Sequence, residues 1–220
     1  MSATEIDTAQ HRKLRKTLIE KLQQKGITDE KVLMALEIIP RHFFIGEANQ
    51  SRAYEDKAVP IGEGQTISQP YTVAYQTQLL NISSSNRILE IGTGSAYQAC
   101  VLALMGKAVF TIERQKKLFL KYQKSSYLMK FENLHFFYGD GYDGLPGMAP
   151  FDKILITAAA PFLPPALIEQ LQVGGYLVLP LGSTGSSQKM TRISKTATGE
   201  IHQEVFDKFR FVPMLTGTHE

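Results

Sequence analysis

Strand, glycine turn and helix follow one another between Arg87 and Leu104, and that succession leaves few folds open to the chain. Ile88, Leu89 and Ile91 form a short apolar run suited to a buried parallel strand. Gly92 and Gly94 then let the backbone turn sharply and approach a ligand with no side chain between. From about Tyr97 the spacing becomes helical, through Ala99, Cys100, Ala103 and Leu104. A helix starting there aims unpaired N–H groups over the strand end, a place that favours an anionic or nucleotide-like group. An ordinary strand–helix turn explains the same residues, so the rest of the chain has to decide.

With 220 residues, 43% of them hydrophobic and 20% charged, the chain is expected to fold as one domain. A net charge of +3 is too small to make nucleic acid the main partner. The basic residues Arg114, Lys116, Lys117, Lys121, Lys124 and Lys130 are expected on the solvated face of a helix. A single cysteine excludes an intramolecular disulfide framework and fits a reducing compartment. Met1 to Lys25 has no apolar core of leader length, and no run approaches a membrane span. The expectation is a soluble cytoplasmic protein, with neither membrane nor nucleic acid as partner.

Residues 1–58 read as a helical cap on the main domain. A first helix covers about Asp7 to Lys25, with Leu14, Ile19 and Leu22 as its stripe and Gly26 beyond its end. A second starts near Thr28, buries Val32, Leu33, Leu36 and Ile39, and stops at Pro40. Val59 to Tyr71 reads as a long loop, in which Gln65, Thr66, Ser68, Gln69 and Tyr71 could line a site. Pro70 then opens a helix, with Ser68 or Gln69 at its cap.

Residues 59–182 read as an α/β core. Further strands are expected at Ala108–Ile112, Leu134–Tyr138, Phe151–Ile156 and Val173–Leu181. The alternation predicts a doubly wound, mostly parallel sheet. Residues 183–220 change character: Met190–Ser194, Ile201–Phe206 and Phe209–Met214 read as antiparallel strands of a β-rich edge.

Spacing then narrows the ligand. Glu113 lies about twenty residues beyond Gly92, which sets a carboxylate beside the glycine turn, where it can accept from a ribose diol. Asp140, between Gly139 and Gly141, stands at a third strand end, in reach of a base edge. A dinucleotide requires a third glycine where this chain has Tyr97, and no Walker loop is present. One nucleoside with an amino-acid tail, as in S-adenosylmethionine, suits Glu90-Ile-Gly-Thr-Gly94 better. Methyl transfer mainly requires positioning. Cys100 lies behind the glycine turn, and the five histidines form no local pair. With no general base in view, an acceptor already ionised at neutral pH fits, namely a carboxylate.

Pro60-Ile-Gly-Glu-Gly-Gln-Thr-Ile-Ser-Gln-Pro70 carries a closer resemblance. Ile39–Phe44, Glu90–Gln98, Gly139–Gly141, Pro150–Asp152, Thr157–Pro161, Gly174–Pro180 and Arg210–Pro213 support it. Over nearly its whole length the chain resembles the protein-L-isoaspartate (D-aspartate) O-methyltransferases. The resemblance implies a class I, Rossmann-like methyltransferase fold with S-adenosylmethionine as cofactor. It also implies isoaspartyl proteins and peptides as partners, esterified to begin repair through a succinimide. By the same carry-over Ser68 is the active-site serine, read here as a carboxylate-holding donor. Thr66, Ile67, Glu90, Gly92, Thr93, Gly94, Ser95, Glu113, Arg114, Asp140 and Gly141 would hold cofactor, and Gln65, Thr66, Ile67, Ser68 and Tyr71 substrate. Ala96 replaces the family's usual third glycine, tolerable if its φ is negative. Tyr71 stands where some members have His. No metal is implied, and a monomer is expected. Two alternatives stay open: a class I methyltransferase acting on a small molecule or RNA, and a cofactor-binding protein without catalysis.

Overall fold

The computed structural model describes residues 6–122 and 124–220; residues 1–5, part of the stretch read above for a leader, lie outside them. In chain order the elements are α1 (Ala9–Gln24), α2 (Glu30–Ile38), β1 (Val59–Gly62), β2 (Gln65–Ile67), α3 (Pro70–Leu80), β3 (Arg87–Ile91) and α4 (Tyr97–Met105). There follow β4 (Ala108–Glu113), α5 (Lys116–Tyr122), β5 (Leu134–Tyr138), β6 (Phe151–Ile156), α6 (Pro165–Gln170), β7 (Leu171–Leu181), β8 (Gln188–Lys195) and β9 (Ile201–Phe209).

Seven strands form the main sheet in the order β5-β4-β3-β6-β7-β8-β9. The five from β5 to β7 are parallel, and β8 and β9 add an antiparallel edge. The chain winds outward from β3 through β4 to β5, then returns to β6 on β3's other side. The crevice above the carboxyl ends of β3 and β6 is therefore the switch point where such sheets bind ligands. Both central strands carry apolar residues on both faces; Ile88, Leu89, Ile154, Leu155 and Ile156 are fully buried, as helices on both faces require. Leu22 and Val32 of the cap share one continuous core with Val101, Val109 and Val178.

Several local expectations give way. The α1 stripe runs through Leu18, Ile19 and Leu22, while Leu14 is 39% exposed. The α2 cap is Asp29, whose carboxylate accepts from the Lys31 and Val32 amides at 2.9 and 3.3 Å. That cap is worth about 1 kcal/mol. The Thr28 amide is diverted to Gln78 Oε1 at 2.8 Å. The segment read as a loop from Val59 is an antiparallel hairpin, β1 against β2. Its turn holds Gly62, Glu63 and Gly64 at φ of +101°, +50° and +66°, a path the two glycines make accessible. The basic stretch is not one helix: α5 ends at Tyr122, and a 3-10 turn follows at Leu128–Lys130. Lys117, Lys121 and Lys124 would stack like charges along one helix face, which opposes continuation. Phe209–Met214 is not a third edge strand. Pro213 has no N–H for a ladder, and the segment instead crosses the sheet's end. There the Ala159 amide donates to Val212 O (2.7 Å) and the Met214 amide to Ala159 O (2.8 Å). Two histidines do pair in space: the rings of His11 and His42 are 3.8 Å apart between centroids, brought together by α1 folding onto the turn at Arg41–Phe44.

Candidate active site

A cleft opens above the carboxyl ends of β3 and β4. The glycine turn forms its floor, the β1–β2 hairpin one wall, and Val212–Leu215 a strap across it. Its empty volume is about 860 Å³, a figure that includes the open solvent at its mouth.

Close packing dictates the glycines. Gly92 has φ +95°, and a Cβ there would stand 2.6 Å from Thr157 Oγ1. That hydroxyl donates to Ile91 O and Gly92 O at 2.9 and 2.7 Å, pinning the turn to the end of β6. At Gly141 a Cβ would meet Ile91 Cγ2 at 2.3 Å. Ala96, the residue before α4, has φ +66°. The negative φ expected of it is overturned: the turn needs a left-handed residue before the first helical one, and this chain fills the place with alanine at a steric cost.

Glu113 is 4% exposed and faces the cleft. Its oxygens accept from the Gly94 amide (2.9 Å) and the Gln115 amide (2.8 Å). Burial raises its pKa, and the amide bonds oppose that. Each oxygen keeps a further lone pair, so the carboxylate can hold the glycine turn and still accept from a diol.

The other two acids sit elsewhere. Glu90 does not line the cleft; it lies fully buried beneath the turn, with burial pushing its pKa to about 8. Thr111 Oγ1 donates to its Oε2 at 2.6 Å, Thr93 Oγ1 is 2.7 Å from the Thr111 hydroxyl, and Glu90 Oε1 has no partner. Asp140 is also outside the lining: its carboxylate accepts from the Tyr142 amide at 2.8 Å and from the Gly217 amide of the strap. Arg114 borders the cleft, but its guanidinium donates to Gly217 O and Thr216 O at 2.9 and 3.2 Å. Asp140 and Arg114 therefore fasten the strap.

Gln65, Thr66, Ile67, Ser68, Gly92, Thr93, Gly94, Ser95 and Gly141 all line the cleft. Thr66, Ser68, Thr157 and Val212 also border a second cleft, completed by Tyr71, Lys208 and Arg210 among others. The two spaces thus meet at Ser68. Its segment is set against the glycine turn through buried amides: Gln76 Nε2 donates to Gln98 Oε1 (2.7 Å), and Gln98 Nε2 to Thr77 Oγ1 (2.9 Å). The Tyr71 amide donates to Asp56 Oδ1 (2.8 Å), so α3 is capped by an acid fourteen residues upstream of its first residue. Burial raises the Tyr71 phenol, which stays a donor at neutral pH. Asp56, Gln98 and the strap were not legible as site residues; the strap's signal in the chain was the Arg210–Pro213 match, and Gln98 appeared only as the end of the Glu90–Gln98 match.

Comparison with known proteins agrees with this geometry. Residues 12–219 match the family model for protein-L-isoaspartate(D-aspartate) O-methyltransferase (PCMT). The protein-L-isoaspartate O-methyltransferase of Cytophaga hutchinsonii is 52% identical over 95% of this chain and 94% of its own. That of Flavobacterium johnsoniae is 50% identical over 95% and 97%. A Plasmodium falciparum structure, described as a protein-L-isoaspartate O-methyltransferase in complex with S-adenosyl-L-homocysteine, superposes with a TM-score of 0.77. It is 26% identical, covering 91% of this chain and 98% of that one. With the family match spanning residues 12–219 and relatives about half identical over almost the whole chain, the protein belongs to the protein-L-isoaspartate (D-aspartate) O-methyltransferase family.

Proposed function

We propose that this protein transfers a methyl group from S-adenosylmethionine to the free α-carboxylate of L-isoaspartyl, and D-aspartyl, residues in damaged proteins and peptides. The observation that carries the reading is the meeting of the two clefts at Ser68, with Thr66, Thr157 and Val212 on both sides. Among the described residues, none that lines either space is a histidine or cysteine to serve as base or nucleophile, and a carboxylate acceptor needs neither.

The residues fit the cofactor. Glu113 would accept from the ribose hydroxyls, the glycine turn would lie along the amino-acid tail, and Gly141, packed closely on Ile91, borders the cleft where a base would lie. S-adenosylmethionine, when bound, supplies a sulfonium-activated methyl group. Ser68 donates to one oxygen of the substrate carboxylate and Tyr71 stands as a second donor on the rim. The other oxygen would take up that methyl group as the carbon–sulfur bond is lost, giving a neutral ester and a thioether. Opposite charges are lost along this path, so a cleft roofed by apolar Val212, Pro213, Met214 and Leu215 favours it. The following backbone amide of the substrate then attacks the ester carbonyl, methanol leaves, and a succinimide forms.

The protein is taken to act as a cytoplasmic monomer, without a nucleic-acid or membrane partner. No helix among the described residues is long and apolar enough to cross a membrane. An RNA acceptor would draw on the basic stretch, yet Lys116 and Lys117 there are paired with Glu220 and Glu63. Methyl-labelled S-adenosylmethionine, given with an isoaspartyl peptide beside its aspartyl twin, tests the reading. Base-labile label on the isoaspartyl peptide alone is expected; base-stable label, or equal label on both peptides, overturns it.

A further inference from the structure

The cluster at Asp7, His11 and His42 lies in the helical cap, and no step of methyl transfer uses it. Its three ligand-type atoms fall within 4.8 Å of one another. Their arrangement is more specific than proximity. His11 Nδ1 lies 3.2 Å from the Ile6 carbonyl oxygen, and His42 Nε2 lies 3.3 Å from the same oxygen. Both distances are long for N–H···O hydrogen bonds, which centre near 2.9–3.0 Å. They match the edge of a tetrahedron of donors around zinc, which for bonds of 2.0–2.1 Å is about 3.3 Å.

The surroundings hold those atoms as an outer shell holds metal ligands. His42 Nδ1 lies 2.7 Å from the Tyr54 hydroxyl. In the tautomer with its proton on Nδ1, donating to Tyr54, the ring turns the Nε2 lone pair toward Ile6 O. Tyr54 in turn accepts from Arg15 Nη1 at 2.9 Å. Arg15 also grips both oxygens of Asp7, at 3.1 and 2.9 Å, and a ligating carboxylate is commonly hydrogen-bonded in this way. The Thr8 amide lies 3.4 Å from His11 Nδ1, a long contact that a metal at that nitrogen would displace. Both rings thus approach the one carbonyl oxygen of Ile6. His42 is buried whereas Asp7 and His11 are only half-buried, which leaves a way in from solvent.

We propose that Asp7, His11 and His42, with the Ile6 carbonyl, form a site for one borderline divalent ion of the zinc class. Two imidazoles favour zinc, cobalt or nickel over magnesium or calcium. Asp7 completes the set by a small rotation while keeping one bond to Arg15. The ion ties the start of α1 to the turn at Arg41–Phe44. Phe44 of that turn packs edge-on against Tyr97, 5.4 Å between centroids, on the cofactor cleft's wall. The role is structural, and methyl transfer does not pass through it.

The test uses the full chain without a histidine tag, stripped with EDTA and titrated with CoCl2 and then ZnCl2. One equivalent of cobalt is expected to bind with visible ligand-field absorption, and zinc is expected to displace it. ZnCl2 is expected to raise the melting temperature where MgCl2 does not. His42→Gln removes a buried ligand and is checked for folding by circular dichroism. His11→Gln alters a half-exposed one and is expected to keep its methyltransferase activity. Each is expected to weaken zinc binding at least tenfold. Absence of saturable one-equivalent binding, or zinc affinity unchanged in His11→Gln, overturns the proposal.

Discussion

Replacing Glu90 with glutamine separates burial from function beneath the glycine turn. The side chain is fully buried, one oxygen accepts from Thr111 and the other has no partner. Burial is the main cause of its pKa rising from 4.5 to about 8, with the nearby Glu113 charge adding to it. The native state therefore keeps a proton that the unfolded chain releases across that window. Stability falls as pH rises from about 4.5 to about 8, because the native state binds more protons there. Each pH unit inside the window is worth about 1.4 kcal/mol, so the loss between about pH 5 and pH 8 approaches roughly 4 kcal/mol. Water entering around the carboxylate lowers that figure, which makes it an upper bound. Glutamine has nearly the same shape and carries no charge to bury. The assay is urea unfolding of wild type and Glu90→Gln at several pH values. Other titrating groups cancel in the difference between the two proteins. The variant is expected to gain on wild type steadily with pH, by at least roughly 2 kcal/mol over the range. A difference that stays constant with pH would refute the reasoning and mean that Glu90 ionises normally in place.

The remaining predictions concern the cleft. Ala96→Gly is expected to change stability by less than about 1 kcal/mol, because relief of the left-handed conformation offsets the added chain entropy and the lost methyl group. At a negative φ the same change would cost roughly 2 kcal/mol, so thermal unfolding decides between the two. Glu113→Ala is expected to weaken S-adenosylmethionine binding 10- to 100-fold, roughly 1.5–3 kcal/mol for charge-assisted bonds, as read by calorimetry. Ser68→Ala is expected to slow methyl transfer about tenfold or more while cofactor affinity holds; unchanged turnover removes its assigned role. Asp140→Ala removes the acceptor of the Gly217 amide and so loosens the strap, and faster hydrogen exchange at residues 215–219 is its expected signature.

Much of the fold was legible because its signals are local. Ile88–Ile91 and Phe151–Ile156 are mostly apolar, broken only by Glu90 and by Asp152 and Lys153, and a strand buried on both faces has to be so. Glu113 was legible because a fixed βαβ length brings the end of β4 beside the glycine turn. What escaped depends on contacts far apart in the chain. Asp140 looks like a base-edge acceptor from Gly139 and Gly141 alone, and only the strap returning from Gly217 shows its oxygens engaged. Ala96 looks helical from its neighbours, yet the turn's geometry forces its φ positive. His11 and His42 lie far apart in sequence, and only the packing of α1 on the turn at Arg41–Phe44 stacks their rings.

Following the fate of the substrate tests the central claim most directly. An isoaspartyl peptide is incubated with the protein and S-adenosylmethionine near neutral pH, and isoaspartyl and aspartyl forms are separated by chromatography over time. The account expects the isoaspartyl form to fall, methanol to be released, and the normal aspartyl peptide to accumulate over successive rounds. An isoaspartyl peptide that persists unchanged while S-adenosylmethionine is consumed would contradict it.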